Sequence, residues 1–149
     1  HYDAFTDYVD FWHGVEDGPL LGERHSAYGD WVALENNDGR RGLPMELFTD
    51  AYHYRATDRM ADVAAVLGRD EDAERYRALA DDVAAAFTDR YFDADAASYA
   101  DTQAANAVPL ALGLVPDGHG SPRRSPTASA PPTGTCRPAS SARRRSSTR

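Results

Sequence analysis

The sequence has no lysine, a single cysteine and no long apolar run. The first of these points to the base composition of the gene, and the other two exclude an intramolecular disulfide and a transmembrane segment. All 16 basic residues are arginine, which indicates a GC-rich gene. Because Cys136 is the only cysteine, no intramolecular disulfide can form, and cysteine usage identifies no compartment. The chain shows neither the pattern of a signal peptide nor an apolar run of about 18 residues, so we expect a soluble protein of unknown location, without a transmembrane segment.

Charge is distributed unevenly along the chain. Residues 1–116 carry a net charge of −14, whereas residues 117–149 carry +6. Because so acidic a body repels polyphosphate backbones, we do not expect nucleic acid as a partner. The same acidity is compatible with a salt-loving source and with an ordinary acidic surface.

The C-terminal part also differs in composition. Residues 121–149 contain no Leu, Ile, Val, Met, Phe, Tyr or Trp and no acid, so they have nothing to bury and are predicted to be disordered. A basic flexible arm is one interpretation; out-of-frame translation of a GC-rich gene is the one we favour. One permitted back-translation of residues 135–142, ACC TGT CGA CCG GCT TCC TCG GCG, gives Leu-Ser-Thr-Gly-Phe-Leu-Gly when it is read from the third base.

The sequence pattern of residues 1–118, which we call the body of the chain, predicts an all-α structure. In the first segment Phe5, Tyr8 or Val9, and Trp12 recur at helical spacing, with acids between them. Residues 13–43 show no periodicity and are rich in glycine, so they form a long irregular connection. Its one apolar, aromatic stretch is residues 28–34 (YGDWVAL).

Three more helices follow in the pattern. Pro44 suits the first turn of a helix of about 23 residues that Gly68 ends. Asp70 is expected to cap a third helix, and residues 102–112 form a fourth, apolar on most sides, which Pro109 would kink and which is expected to be central. The third helix should bury one face, formed by Ala73, Tyr76, Leu79 or Ala80, Val83 and Phe87.

The order of these helices places distant residues together. The second helix leads away from the aromatic stretch of the loop, the third returns, and the fourth starts near that loop. We therefore expect Asp30, Trp31, Thr102 and Gln103 at one end of the bundle.

Six short motifs, in order and spacing, resemble the middle of the catalytic domain of bacterial α-L-rhamnosidases. They are SAYGDWVAL (26–34), PMEL (44–47), AYHY (51–54), MA (60–61), TQAANA (102–107) and LALGLVP (110–116). The resemblance covers roughly residues 1–118 and implies part of an (α/α)6 barrel of six helical hairpins, with residues 119–149 as the disordered tail. The family continues with a segment like Ser-Thr-Gly-Phe-Leu-Gly, which the shifted frame yields.

The resemblance also implies which residues contact a sugar. Trp31 would line the pocket for the deoxysugar, with Asp30 beside it as a hydroxyl acceptor. Tyr28 and Gln103 are further substrate-binding candidates. Each has a plain alternative: Trp31 can anchor the loop in the core, Asp30 can make an Asx-turn and Gln103 can help to cap its helix. Glu46, just after Pro44, is read as a first-turn acid that favours the helix dipole.

The catalytic groups are expected outside this chain. Inverting glycosidases use two carboxyls, and the family's general acid and general base belong to an earlier and a later segment, whose patterns do not occur here. We therefore assign no catalytic residue, and we expect no cofactor and no metal, because His13, His25 and His53 lack metal-ligand spacing.

The resemblance predicts a fragment of a glycoside hydrolase that releases terminal α-L-rhamnose from glycosides or polysaccharides. Alone, it should be inactive and poorly soluble or molten. Two alternatives stay open: another sugar-processing enzyme with a six-hairpin barrel, and a non-catalytic helical-repeat interaction module. For the module, the unequal helix lengths and the absence of an internal period are unfavourable.

Overall fold

Four α-helices form the body of the chain, in a computed structural model that describes residues 1–25 and 45–116. They are α1 (Tyr2–His13), α2 (Met45–Val66), α3 (Asp70–Tyr91) and α4 (Gln103–Leu112), with a 3₁₀ turn at Glu23–His25. In these two ranges the only β-type pairing is an isolated bridge between Asp93 and Ser98. The all-α class predicted from the sequence is confirmed.

The helices α2 and α3 form the central antiparallel hairpin. Gly68, at φ +69°, ends α2, and two hydrogen bonds close the turn, from Gly68 N to Ala65 O (3.1 Å) and from Arg69 N to Ala64 O (2.9 Å). The face of α3 that packs on α2 has the predicted register. Tyr76, Ala80, Val83 and Phe87 are buried, whereas Ala73 and Leu79 are half-buried.

The start of α3 differs from the prediction by one residue. Asp70 does not cap the helix; Arg69 occupies the capping position and its side chain makes no capping hydrogen bond. Asp70 instead lies in the first turn with Glu71 and Asp72, where the positive end of the helix dipole favours acids. The start of α3 is therefore stabilised by the acidic residues of its first turn rather than by a side-chain cap.

The short helix α4 packs against the first half of α2 and the end of α3. Ala105 and Leu114 share a buried cluster with Leu47, Phe48 and Phe87. Gly113, at φ +78°, ends α4. The expectation that α4 is central is not met within this chain, because it buries one face only and leaves Leu110 56% exposed.

The orientation of α1 is the largest departure from the pattern. Of the predicted stripe, Val9 is buried and Trp12 is half-buried, but Phe5 and Tyr8 are 59% and 57% exposed, so the packed face lies to the Val9 side of the stripe. Two hydrogen bonds join α1 to α3: Tyr2 Oη donates to Asp72, and Tyr76 Oη donates to Asp10. These hydrogen bonds fix the rotation of α1 and turn its aromatic stripe outward.

None of the helices in the described ranges combines the length and apolarity that a membrane crossing requires.

Candidate functional site

The N-terminal ends of α2 and α4 lie side by side. Leu47 and Phe48 in the first turn of α2 share one buried cluster with Ala105 in the first turn of α4 and Phe87 near the end of α3. The first turns of α2 and α4 therefore lie at the same end of the bundle, as the order of the helices predicts. Glu46 lies in the first turn of α2 and is half-buried.

Gln103, one of the four predicted sugar-binding residues, is the first residue of α4 and is exposed at this end. The backbone in front of it is fixed by hydrogen bonds. Thr102 Oγ1 accepts from Ala105 N at 3.3 Å. The Asn106 amide donates to Ala100 O (2.6 Å) and Thr102 O (2.9 Å) and accepts from Tyr99 N (2.8 Å). Asn106, for which the sequence pattern indicated no role, thus holds the turn that presents Gln103.

The other three predicted sugar-binding residues, Trp31, Asp30 and Tyr28, lie outside the described residues, as do Pro44 and residues 117–149. Their proposed contact with a sugar, and the expected clustering of Asp30 and Trp31 with Thr102 and Gln103, stay predictions. What the structure adds is the position of α2, the helix that follows them in the chain.

A buried carboxylate, Asp50, organises the same end of the bundle. Its side chain is inaccessible to solvent. Oδ1 accepts from the backbone N–H groups of Leu21 (2.7 Å) and Gly22 (3.0 Å), and Oδ2 accepts from Tyr91 Oη (2.7 Å). Asp50 therefore ties the segment after α1, through residues 21 and 22, to the second turn of α2 and the last residue of α3.

These contacts favour a structural role for Asp50 over a catalytic one. A general acid or base must reach the substrate or a water molecule, whereas both oxygens of Asp50 are buried and engaged within the chain. Burial, with a further contribution from the hydrogen bond to Asp50, raises the pKa of the Tyr91 phenol, so Tyr91 stays a neutral donor. The sequence offered one signal for this site: an acid three residues after Leu47, beside an apolar face.

A cleft of about 210 Å³ lies between α1, the segment that follows it, and α2. Its lining combines aromatic and aliphatic side chains with polar groups from α2 and the 3₁₀ turn: Tyr8, Val9, Trp12, Leu21, His25, Thr49, Tyr52, His53 and Ala56. Tyr8 and Tyr52 are each 57% exposed, so the cleft is open at its rim. Exposed rings beside polar groups are the lining that sugar sites and helix-binding grooves share.

Two histidines pack beside the floor of this cleft. The rings of His13 and His53 are 4.5 Å apart, and His13 Nε2 is 3.0 Å from Thr57 Oγ1. His53 is only 6% exposed, and its Nε2 finds no hydrogen-bond partner among the described residues. Burial, with a smaller effect of His13, lowers the pKa of His53 to about 4, and burial also lowers the pKa of His13. Both rings are therefore neutral at pH 7.

In the described part of the chain, no three His, Cys, Asp or Glu side chains come close enough together to bind a metal ion. The polar clusters that do occur there are structural. Arg75 binds Asp10 at 2.6 Å, and Arg77 bridges Asp58 and Asp62 across the hairpin.

Comparison with known proteins gives one consistent result. The sequence model of the bacterial α-L-rhamnosidase six-hairpin glycosidase domain matches residues 1–128. Among solved structures, the chain resembles the Streptomyces avermitilis α-L-rhamnosidase complexed with L-rhamnose (27% identity, TM-score 0.66) and the α-L-rhamnosidase from Dictyoglumus thermophilum (28% identity, TM-score 0.66). No curated protein matches it.

The matches cover a large part of this chain but a small part of its relatives. In each case 78% of this chain aligns, whereas it covers 10% of the Streptomyces protein and 13% of the Dictyoglumus protein. The chain thus spans roughly a tenth of the length of the solved structures that it resembles.

Proposed function

Since the chain belongs to the bacterial α-L-rhamnosidase six-hairpin glycosidase domain family, we propose that it is part of a glycoside hydrolase that releases terminal α-L-rhamnose from glycosides or polysaccharides. The observation that carries the proposal is the match over residues 1–128, together with the fold shared with two α-L-rhamnosidases. One of these relatives is complexed with L-rhamnose, which supports rhamnose as the sugar that is recognised.

The reaction that we propose is inverting hydrolysis. It requires two carboxyls about 6.5–9.5 Å apart, one to protonate the leaving oxygen and one to activate water. We assign neither to this chain. Asp50 is engaged within the fold, and Asp10, Asp58 and Asp62 pair with arginines. The general acid and general base are therefore expected in the segments of the parent enzyme that flank residues 1–118, and the isolated chain should not hydrolyse rhamnosides.

The contribution of this chain is sugar binding at the end where α2 and α4 begin. Gln103 is exposed there, on a turn that Asn106 fixes, and can donate from its amide to a hydroxyl. Trp31, with Asp30 and Tyr28 in the same loop, is proposed to offer its indole face to the methyl group and ring C–H face of the deoxysugar. The position of Gln103 in the first turn of α4, at the end of the bundle where α2 begins, supports this arrangement.

The test uses a longer enzyme in which the segments that flank residues 1–118 are restored. It should hydrolyse an aryl α-L-rhamnoside, and the first product seen by NMR should be β-L-rhamnose, whereas the isolated 149-residue chain should be inactive. Trp31→Ala should weaken sugar binding by on the order of 1–3 kcal/mol, and Trp31→Phe, which keeps a ring, by less.

Three results would contradict parts of this proposal. Hydrolysis by the isolated chain would show that it is catalytically complete. Activity on another glycoside but not on the rhamnoside would favour a different six-hairpin sugar-processing enzyme. Unchanged kinetics for Trp31→Ala in a well-folded longer enzyme would show that Trp31 does not bind the sugar, and would favour its alternative role as a core residue that anchors the loop.

A further inference from the structure

The turn that leads into α4, residues 99–102, is held by a side chain of the helix itself. Asn106 Oδ1 accepts from Tyr99 N at 2.8 Å. Asn106 Nδ2 donates to Ala100 O at 2.6 Å and to Thr102 O at 2.9 Å. A single amide thus binds three backbone groups of the turn, through both its carbonyl oxygen and its NH₂ group.

The core side of this turn is fixed as well. The Tyr99 ring packs against Phe87 and Phe92, with ring centroids 5.4 Å and 5.1 Å apart. Tyr99 Oη also donates to Leu114 O, just after the end of α4. The turn is therefore held on one side by aromatic packing and on the other by Asn106, which fixes the direction in which the chain enters α4.

The contacts of Asn106 are not those of a helix cap. Thr102 already caps α4, because its Oγ1 accepts from Ala105 N. None of the three partners of Asn106 is an unpaired N–H group in the first turn of α4. Asn also has a lower helix propensity than the alanines around it. The contacts of Asn106 therefore serve the geometry of the turn rather than the start of the helix.

The residue that follows this turn directly is Gln103, the first residue of α4, which is exposed. The direction of a Cα–Cβ bond is set by the backbone on either side of it. A fixed backbone at Thr102 therefore fixes the direction in which the Gln103 side chain leaves the helix. A polar group on a fixed backbone loses less conformational freedom on binding than the same group on a loose turn.

We propose that Asn106 is a positioning residue for sugar binding, which acts through Gln103 and does not contact the sugar itself. The inference rests on the proposed function, in which the Gln103 amide donates to a hydroxyl of the rhamnosyl group. Loosening the turn should weaken this hydrogen bond as much as removal of the Gln103 amide does. Loss of one neutral hydrogen bond of this kind weakens binding by about 2- to 10-fold.

The test measures kcat and KM of the longer enzyme for an aryl α-L-rhamnoside, below the temperature at which each variant unfolds by circular dichroism. Gln103→Ala should raise KM by about 2- to 10-fold, with kcat changed by less than about two-fold. Asn106→Ala should raise KM by a similar factor. The double variant should have the KM of Gln103→Ala alone, because a positioning residue has no effect once the side chain that it positions is removed.

Two further variants separate positioning from stability. Asn106→Asp keeps an acceptor for Tyr99 N and adds a negative charge near the start of α4, which favours the helix, but it loses both donor bonds. It should therefore raise KM as Asn106→Ala does. Val108→Ala removes packing from the second half of α4 and leaves the turn intact, so it should lower the melting temperature without raising KM.

Several results would overturn the inference. They are an unchanged KM for either Asn106 variant, effects that multiply in the double variant, and a rise in KM for Val108→Ala equal to that for Asn106→Ala. An unchanged KM for Gln103→Ala would overturn it too, whereas hydrolysis of the rhamnoside by the unmodified longer enzyme would leave the proposed function standing. A folded longer enzyme that does not hydrolyse the rhamnoside would instead contradict the proposed function, and the inference with it.

Discussion

Asp50 is the residue on which the packing of the N-terminal segment depends most. Replacement by Ala leaves two backbone N–H groups and the Tyr91 hydroxyl without their acceptor. Because hydrogen bonds to a charged group contribute about 1.5–3 kcal/mol each and are not additive, Asp50→Ala should lower the free energy of unfolding by on the order of 3 kcal/mol. Urea unfolding, followed by circular dichroism, measures this loss.

Two further variants separate the lost hydrogen bonds from the lost charge. Asp50→Asn keeps one oxygen that can accept from Leu21 and Gly22, so it should cost less than Asp50→Ala. Glu74→Ala, an exposed acid on α3, should change the free energy of unfolding by no more than about 0.5 kcal/mol. An equal effect of Asp50→Ala and Glu74→Ala would mean that the buried carboxylate does not hold the segment.

His53 makes the stability of the fold depend on pH. Burial lowers its pKa from the ordinary histidine value of 6.5 to about 4 in the folded chain. Between pH 4 and pH 6.5 the unfolded chain binds the proton more strongly than the folded chain does. The contribution of the neutral ring to the free energy of unfolding is therefore complete above pH 6.5 and is lost as the pH falls toward 4. The lowered pKa of His13 acts in the same direction.

Replacing the ring removes this dependence. From pH 7 to pH 5, the free energy of unfolding should fall more for the unmodified chain than for His53→Phe, by on the order of 1 kcal/mol per pH unit. Thr49→Ala, which changes the same cleft without removing a titratable group, should keep the slope of the unmodified chain. Urea unfolding at dilutions where the chain is monomeric provides the measurement, and parallel slopes for all three proteins would rule out this role for His53.

At the scale of the element, α4 depends on its entry turn more than on its cap. Thr102→Ala removes one capping hydrogen bond, which costs about 1 kcal/mol. Asn106→Ala removes three hydrogen bonds that fix residues 99–102, so it should cost more, about 2–3 kcal/mol. Hydrogen exchange of the backbone from residue 99 to residue 105 should also become faster in Asn106→Ala. An equal loss in the free energy of unfolding for Thr102→Ala and Asn106→Ala would contradict the larger role assigned to the entry turn.

The elements that could be predicted are those whose signals are local. The ends of α2 and α4 follow from Gly68 and Gly113, which adopt positive φ values. The buried face of α3 follows from its period, because Tyr76, Val83 and Phe87 recur on one side. The start of α4, and with it the position of Gln103, was predicted to within one residue.

What could not be predicted depends on partners distant in the sequence. The rotation of α1 is set by hydrogen bonds from Tyr2 and Tyr76 to acids about 70 residues away along the chain, and no periodicity within α1 encodes them. Asp50 was missed for the same reason, because its partners belong to residues 21, 22 and 91. A sequence pattern does not distinguish a polar side chain that is buried against distant partners from one that is exposed on the surface.

At the scale of the whole molecule, the described residues are consistent with a segment of a larger array of helices. The central hairpin α2–α3 is flanked by α1 and α4, and each of these flanking helices turns an apolar face to solvent. An isolated globular domain rarely leaves so many large apolar side chains uncovered on two flanks. The six-hairpin family gives the physical reason, since neighbouring hairpins would cover both surfaces.

The last prediction concerns residues 121–149, whose composition differs from that of the rest of the chain. They contain no large apolar side chain and no acid, whereas the preceding 120 residues contain every large apolar residue of the chain. If this segment is translated out of frame, the DNA opposite residues 135–142 should encode Leu-Ser-Thr-Gly-Phe-Leu-Gly in the alternative frame, followed by further amphipathic helical sequence. Resequencing the locus and reading all frames on both sides tests this. Stop codons in the alternative frame at that point would rule out the out-of-frame interpretation, because no helical continuation could then be translated, and the basic flexible arm would remain as the other interpretation.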